Sequence, residues 1–305
     1  MANGKRLLFL DLIRIEAIIA IVVFHLSTRF HIFPLDIEFP LFGLLWVSVG
    51  ALGVYVLLFV SGAALAYTYP AERVFKDLKG FYISRLLRIY PAFWVALIFS
   101  IILMPYTFYL INWENVVLIV TGFTAFAGDW GGPLGDIFWF IGLIVSLYLV
   151  YPVLIWAINK KPIWSMVILM QISVLSTILL VYFNFMGAAD LSHGVTRWFP
   201  LCSLAVFGAG IFCIRTGGYP KVFIENTSLL TFFAEISFFV YLYHYNLWGF
   251  AAINIWFYFG IVFGISYAAM IIDERIRLKI HEMETSLRGD FPNQIGKRIQ
   301  AFLRF

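Results

Sequence analysis

The sequence predicts an all-α fold, a polytopic transmembrane helix bundle of eight to ten spans with cytoplasmic N- and C-termini. Three observations lead to this prediction. Hydrophobic residues make up 62% of the 305 residues and charged residues only 12%, whereas a soluble globular chain carries ~25% charged residues. The apolar residues form runs of the ~20 residues that a helix needs to cross a bilayer. The basic residues are concentrated in segments that such a bundle places on one side of the membrane.

Eight apolar runs have spanning length. In chain order they cover residues 7–28, 47–68, 89–110, 137–158, 163–187, 198–214, 229–249 and 250–272. The last two form one continuous apolar run that is too long to cross only once, so we expect a tight hairpin at 246–249. The stretch at 116–127 is too short for a full crossing and indicates a re-entrant or interfacial element. The piece at 32–46 is ambiguous in the same way.

The basic residues set the predicted orientation. With eight crossings and an inner N-terminus, the cytoplasmic side holds the arginines and lysines at 5–6, 73–88, 160–161, 215–221 and 275–304. Only Arg29 and Arg197 then lie outside, and Arg14 lies within the first span. Counting 116–127 as a crossing would place most of the later basic residues outside, against the positive-inside rule. An even number of spans is therefore expected.

This topology divides the chain into a transmembrane domain over residues 1–272 and a cytoplasmic, partly amphipathic tail over residues 273–305. The net charge of +4 is typical of such a topology and does not indicate a nucleic-acid partner. The sequence contains no glycine-rich phosphate loop and no HExxH motif. We therefore expect no metal and no nucleic acid, with membrane lipids as the surroundings of the chain.

Charged residues at bilayer depth distinguish the first predicted span. Such a charge costs ~2.5–3.5 kcal/mol, so its side chain normally faces the protein interior or a wet cavity. Arg14 and His25 are eleven positions apart, which makes them nearly eclipsed and ~16 Å apart along a helix. Asp11 lies within ~60° of both, whereas Glu16 points to nearly the opposite side. The sequence predicts a polar stripe of Asp11, Arg14 and His25. The alternative is that the Arg14 side chain extends to the inner membrane surface, paired with Asp11, and that His25 lies near the outer interface.

Six motifs in order between residues 9 and 274 resemble those of the acyltransferase-3 family of membrane O-acyltransferases. They are Asp11-Leu-Ile-Arg14 with His25, Gly53-Val54 with Ser61-Gly62, Arg85-Leu-Leu-Arg88 with Pro91, Trp139-Phe140 with Tyr148 and Pro152, Ser237 with Tyr241-Leu-Tyr-His244, and Ile271-Ile-Asp273-Glu274. Each motif is weak alone, but six in the family's order are specific. The chain departs from the family at Ile144, where the middle motif commonly carries a glutamate.

The resemblance implies an enzyme that moves an acyl group, with acetyl expected, from acyl-coenzyme A to a hydroxyl of a glycan or lipid-linked sugar. It implies a prokaryotic cytoplasmic membrane, polysaccharide modification in the cell envelope, and acetyl-coenzyme A as a co-substrate without any tightly bound cofactor. His25 would act as general base or carry the acyl group itself. Arg14, Arg85 and Arg88 would bind the coenzyme A phosphates, with Arg14 also supporting catalysis. Arg85 and Arg88 are also what the ordinary basic flank of a span provides.

Five residues are assigned supporting roles by the same resemblance: Asp11, Trp139, Tyr148, His244 and Asp273. Asp11 would orient Arg14, and Trp139 and Tyr148 would line the cavity or simply belong to the aromatic core. His244 is either a rival base or a packed, hydrogen-bonded core histidine. Asp273 is expected to pair with basic loop residues.

A proton-coupled transporter or flippase of a glycan or small polar solute is the competing interpretation, because such carriers also need a polar stripe inside a span. The sequence shows no inverted repeat and no matched pair of interrupted spans. A flippase would also not need the Arg85-x-x-Arg88 motif at the cytoplasmic mouth. A structural scaffold would leave Arg14 and His25 unexplained, and the oligomeric state is not fixed by the sequence.

Overall fold

The fold is all-α, as predicted, and is known here from a computed structural model that describes residues 5–30, 38–41, 45–104, 115–124, 133–185, 199–225 and 229–287. Its α-helices are α1 (Leu8–Phe30), α2 (Val49–Thr68), α3 (Ala71–Lys76), α4 (Leu78–Leu103), α5 (Val116–Val120), α6 (Pro133–Lys160), α7 (Pro162–Phe185), α8 (Leu204–Thr216), α9 (Leu229–Tyr243) and α10 (Ile255–Leu287). Short 3-10 helices cover Pro200–Ser203 and Trp248–Ala252.

Eight helical segments follow the eight predicted spans in order. Five of them, α2, α4, α6, α7 and α10, are long and apolar enough to cross a membrane. Pro200–Thr216 and Leu229–Tyr243 are shorter apolar segments. Helix α1 has 23 residues, enough to span, but includes the charged residues of the predicted stripe. The prediction of a polytopic membrane bundle is confirmed, and the orientation of its termini stays a prediction.

Helix α4 begins at Leu78 rather than at the predicted residue 89. Asp77 caps it, since its Oδ1 accepts a hydrogen bond from the Gly80 N–H at 2.9 Å. The apolar run starts later than the helix because the first turns of α4 are polar. Arg85 and Arg88 consequently lie on a regular helical segment whose geometry fixes their separation.

The long apolar run at 229–272 is broken near the predicted hairpin. Helix α9 ends at Tyr243 and α10 begins at Ile255. Asn254 helps to start α10, because its Oδ1 accepts hydrogen bonds from the backbone N–H groups of Trp256 (2.8 Å) and Phe257 (3.1 Å). Helix α10 then continues past the predicted domain boundary at 272 to Leu287. That boundary stays a prediction, and residues 288–305 of the predicted tail lie outside the described residues.

The ambiguous pieces form short elements. Helix α5, with 5 residues, covers part of the 116–127 stretch. In the 32–46 region, strands β2 (Glu38–Leu41) and β3 (Leu45–Ser48) pair antiparallel, while 31–37 and 42–44 lie outside the described residues. Strand β1 (Lys5–Leu7) pairs antiparallel with β4 (Phe223–Glu225). The β1–β4 pairing ties the start of α1 to the segment that leads into α9.

Helix α2 is the central packing element, because it lies against both α1 and α8. Glycines allow the close approach of α2 and α8. A Cβ on Gly62 would collide with the backbone carbonyl of Phe207, and a Cβ on Gly210 would collide with the backbone carbonyl of Phe59. Small residues allow helices in lipid to gain packing contacts at such short separations. This packing holds α1, which carries the polar stripe, against a rigid neighbour.

Candidate functional site

The predicted polar stripe of α1 faces the protein interior. Asp11 is only 2% exposed, and Arg14 and His25 are half-buried. Glu16 is exposed, as expected for a side chain on the opposite side of the helix. The predicted segregation of these side chains on α1 is therefore seen in the structure.

A charged cluster surrounds the N-terminal part of the stripe. It consists of Arg6, Asp11, Arg14, Arg88 and Glu235. Arg6 of β1 bridges two helices, because one guanidinium nitrogen lies 2.8 Å from Asp11 Oδ1 and the other lies 2.7 Å from Glu235 Oε1 on α9. Arg14 Nη1 is farther from Asp11 Oδ1, at 3.8 Å. The closest cationic partner of Asp11 is therefore Arg6 and not Arg14, which was the expected one.

Sequence reasoning missed Arg6 and Glu235. Arg6 precedes the first span and resembles an ordinary topological charge. Glu235 could have been recognised from the sequence, because it is the one acidic residue in the apolar segment Leu229–Tyr243. A lone carboxylate in such a segment needs a cationic partner, and Arg6 is that partner.

Arg88 enters the charged cluster from α4. The Glu235 carboxylate attracts its guanidinium, and the Arg14 and Arg277 guanidinium groups lie close enough to repel it. Arg88 makes no hydrogen bond or ion pair with another residue in the described part of the chain. A half-buried guanidinium in this position has donors available for an anionic ligand.

Asp273 lies near the charged cluster on α10. It is 2% exposed, and its Oδ2 pairs with Arg277 Nη2 at 2.7 Å on the same helix. The ion pair of Asp273 is therefore with a cation four residues along α10, and the expected pairing with basic loop residues stays a prediction. Asp273 also attracts Arg88 electrostatically, which places it at the edge of the cluster.

Arg85 has different surroundings from Arg88. Its Nη2 donates a hydrogen bond to the Tyr69 hydroxyl at 3.1 Å, and its guanidinium lies 4.6 Å from the centre of the same ring. The Arg73 guanidinium lies 4.5 Å from that ring. Burial raises the pKa of Tyr69, but Arg85, a hydrogen bond with Ser84, and Arg73 together bring the pKa below its ordinary value. Arg85 thus helps to hold the corner between α2 and α3.

The far end of the stripe is a histidine pair, His25 and His244. The Nδ1 atom of His25 lies 2.9 Å from Nε2 of His244, and the two rings meet edge to edge, with planes 22° apart and centroids 5.1 Å apart. The second ring nitrogen of His244, Nδ1, lies 2.8 Å from the carbonyl oxygen of Tyr241 and 3.1 Å from that of Val240. Sequence reasoning weighed the two histidines as rivals, whereas the structure brings them into direct contact.

Aromatic side chains enclose the histidine pair. The Tyr245 ring meets His25 edge-on at 5.3 Å and stacks on Trp248 at 4.5 Å. Tyr241 lies 6.0 Å from His244, between ring centroids, and 5.3 Å from Phe140 of α6. His244 is buried among these rings, whereas His25 is half-buried; polar contacts in such low-dielectric surroundings are stronger than in water.

The two aromatic residues predicted on α6 lie at different distances from the stripe. Tyr148 is close enough to Arg14 to interact with it electrostatically, and its ring lies 6.4 Å from Phe207. Trp139 is half-buried and packs edge-on against Phe140 at 6.2 Å. Tyr148 therefore borders the stripe directly, while ring contacts through Phe140 and Tyr241 link Trp139 to the histidine pair.

The arrangement as a whole joins a cluster of charged side chains to a pair of imidazoles along one helix. The described residues contain no group of three or more His, Cys, Asp or Glu side chains that could hold a metal ion. The cluster offers guanidinium donors, and the histidine pair offers an imidazole in an enclosed, aromatic environment. Guanidinium groups can bind anions, and a neutral imidazole can accept a proton.

Comparison with protein families gives an independent result. Residues 7–176 match the family model Acyl_transf_3, which is described as an acyltransferase domain. This range is more than half of the 305 residues and includes Asp11, Arg14, His25, Arg85, Arg88, Trp139 and Tyr148. His244 and Asp273 lie beyond it. No curated protein and no solved structure matched the chain.

Proposed function

Because this chain belongs to the acyltransferase-3 family and is thus an integral membrane acyltransferase, we propose that it moves an acyl group from acyl-coenzyme A to a hydroxyl of a glycan or lipid-linked sugar. Acetyl is the acyl group that we propose. The observation that carries the proposal is the charged cluster joined by α1 to the histidine pair. We place the enzyme in a prokaryotic cytoplasmic membrane, with both termini inside, where it modifies cell-envelope polysaccharide.

The charged cluster is the proposed binding region for the donor. Arg14 and Arg88 supply guanidinium groups that match the geometry of phosphate oxygens. Arg6 already pairs with both carboxylates of the cluster, Asp11 and Glu235. The guanidinium groups of Arg14 and Arg88 are therefore available to an anion. Arg85 is proposed as a third phosphate ligand at the α2–α3 corner. Acyl-coenzyme A is consumed and released in each cycle, and no tightly bound cofactor is proposed.

The stripe on α1 is the proposed path of the thioester. Arg14 and His25 are separated by eleven residues of one continuous helix, which corresponds to ~16 Å along its axis. The pantetheine arm is long and narrow, so phosphates held at Arg14 would allow the thioester to extend toward His25. Tyr148 borders this path near Arg14.

At the histidine pair, His25 is the proposed general base. Its imidazole takes the proton from the acceptor hydroxyl while the hydroxyl oxygen attacks the thioester carbonyl carbon. The C–O bond forms, the C–S bond breaks, and the departing sulfur takes the proton back from the His25 imidazolium. The products are the ester and the free thiol of coenzyme A, and His25 returns to its neutral state. Transfer through an acyl-histidine intermediate remains the alternative route.

Turnover of acetyl-coenzyme A by the detergent-purified protein tests this proposal. We expect thiol release that depends on a saccharide acceptor and is lost in His25→Ala. Arg14→Ala should raise the KM for acetyl-coenzyme A. Arg215→Ala is the matched control, because Arg215 is an exposed arginine on α8 whose Nε donates to Asn159 Oδ1. Absence of coenzyme A binding, together with substrate-dependent flux in proteoliposomes, would contradict the proposal and favour a carrier.

A further inference from the structure

The tautomer of His244 follows from its two backbone contacts. Its Nδ1 atom lies 2.8 Å from the Tyr241 carbonyl oxygen and 3.1 Å from the Val240 carbonyl oxygen. Carbonyl oxygens only accept hydrogen bonds, so the hydrogen must be on Nδ1. In a neutral imidazole the other nitrogen, Nε2, then has no hydrogen and presents a lone pair.

The tautomer of His25 follows from that of His244. The His25 Nδ1 and His244 Nε2 atoms are 2.9 Å apart, and the His244 atom can only accept. His25 Nδ1 must therefore carry the hydrogen and donate it. The remaining nitrogen of His25, Nε2, then carries a lone pair and has no hydrogen-bond partner among the described residues. The hydrogen bonds thus run in one direction, from His25 through His244 to the carbonyl groups at the end of α9.

We propose that His244 is a positioning residue, which holds His25 in the Nδ1–H tautomer and makes Nε2 of His25 the atom that takes the proton from the acceptor. This inference rests on the proposed function of His25 as general base and adds the identity of the reacting nitrogen. His244 does not contact the substrate in this scheme. It acts through His25, as carboxylate or carbonyl groups often orient a functional histidine.

A neutral partner suits this part of the molecule. Neither histidine ring has a carboxylate partner among the described residues, and a buried carboxylate would be costly inside a membrane. His244 accepts a hydrogen bond without carrying a charge. When His25 becomes an imidazolium during the reaction, the same bond becomes charge-assisted and stronger. The partner therefore favours the charged state of His25 only when the reaction produces it.

The position of His244 is fixed by its surroundings. His244 is 3% exposed, and its backbone carbonyl accepts a hydrogen bond from the Tyr258 hydroxyl of α10 at 3.1 Å. Its ring meets that of His25 edge to edge and lies near Tyr241 and Tyr245. Among the described residues, these tyrosines are the titratable side chains in contact with the two histidines. The rigid setting selects one orientation of the His244 ring.

Two substitutions separate the two hydrogen bonds of His244. The terminal amide of His244→Gln reaches about as far as Nε2, so its oxygen can still accept from His25. The shorter amide of His244→Asn reaches only about as far as Nδ1, so it can still donate to Tyr241 but cannot reach His25. The replacement side chain is neutral and polar in both variants. Because asparagine leaves more empty space than glutamine at this buried position, a role in packing alone would also affect His244→Asn more, so the tautomer of His25 is the readout that separates the two roles.

The decisive measurement is ¹⁵N NMR of histidine-labelled protein in detergent at neutral pH, without substrate. The five histidines give few signals, and His25→Gln identifies those of His25. We expect His25 in the Nδ1–H form, which is the minor tautomer of histidine in water, in the wild type and in His244→Gln. In the His244→Asn variant, His25 should revert to the Nε2–H form. An Nε2–H tautomer of His25 in the wild type would overturn the inference.

Kinetics test the consequence for transfer. We expect His244→Asn to lower kcat by ~10²-fold or more, with an unchanged KM for acetyl-coenzyme A. His244→Gln should retain most of kcat, within ~10-fold of the wild type. Equal losses in both variants would overturn the positioning role. An Nδ1–H tautomer of His25 in a protein that never transfers an acyl group would instead refute the proposed function and leave the hydrogen-bond arrangement standing.

Discussion

Arg88 and Arg85 belong to one motif on α4, yet their surroundings predict different effects on donor binding. Arg88 faces the charged cluster without a hydrogen-bonded partner among the described residues. Arg85 already donates to the Tyr69 hydroxyl at 3.1 Å. A guanidinium with free donors contributes its full charge-assisted hydrogen bond to a phosphate, ~1.5–3 kcal/mol.

The expected result is a larger KM for acetyl-coenzyme A in Arg88→Ala, by ~10–100-fold, because each 1.4 kcal/mol is a factor of ten. Arg85→Ala should raise the KM less, since its guanidinium also stabilises the α2–α3 corner. Steady-state kinetics and direct binding of coenzyme A measure both effects, with Arg215→Ala as the control. An unchanged KM in Arg88→Ala would remove this residue from the proposed donor site.

Individual residues were predicted well where helical periodicity alone determines which side chains lie on the same side of a helix. Asp11, Arg14 and His25 share one side of α1 because 3.6 residues per turn place them there. The pairing of His25 with His244 was beyond this reasoning, because the two residues are 219 positions apart. Only the packing of α9 against α1 brings them together. Arg6 was missed for a similar reason, since the β1–β4 pairing carries it to Glu235.

Among the helices, the contact between α2 and α8 makes a clear prediction. A methyl group at Gly62 would meet the Phe207 backbone carbonyl, which cannot move aside as a flexible side chain would. Gly62→Ala should therefore lower the free energy of unfolding by ~1–3 kcal/mol, the usual cost of overpacking. Thermal unfolding in detergent measures this loss of stability. The activity of Gly62→Ala should recover when it is assayed at low temperature.

Gly260 on α10 is the matched control, because a methyl group there has nothing within 4 Å. Gly260→Ala should be neutral or slightly stabilising, since alanine has the higher helix propensity by up to ~1 kcal/mol. If Gly62→Ala were as stable as Gly260→Ala, close packing of α2 on α8 would not be what holds α1 in place.

The sequence located the helices better than it located their ends. Predicted spans followed apolar runs, so the polar first turns of α4 were assigned to a loop, although Asp77 caps the helix at this point. The same reasoning ended the last span at 272, whereas α10 continues to Leu287. Hydropathy reports where a helix can contact lipid, and capping decides where it begins.

For the molecule as a whole, the distribution of basic residues predicts both termini in the cytoplasm. The described residues include a helical segment at each of the eight predicted spans, and five of these helices are long and apolar enough to cross a membrane. Reporter fusions to each terminus, one active only in the cytoplasm and one only outside, should both report an inner location. An outer C-terminus would mean an odd number of crossings. The basic residues after the extra crossing would then violate the positive-inside rule.

At the scale of the whole bundle, the proposed function requires a soluble donor and a membrane-associated acceptor to meet. The charged cluster lies near the N-terminal end of α1, and the histidine pair lies eleven residues farther along the same helix from Arg14. With the N-terminus inside, the donor would enter from the cytoplasm and the acceptor hydroxyl would reach His25 deeper in the bilayer. The enclosed, aromatic surroundings of the pair would limit hydrolysis of the thioester.

The most direct test of this account follows the acetyl group itself, with labelled acetyl-coenzyme A and purified protein in the presence of a saccharide acceptor. The account predicts labelled acetyl ester on the acceptor with the wild type and Arg215→Ala, and none with His25→Ala, although His25→Ala still binds coenzyme A. Acceptor labelling that persists in His25→Ala would contradict the account, because the chemistry would then lie away from the histidine pair.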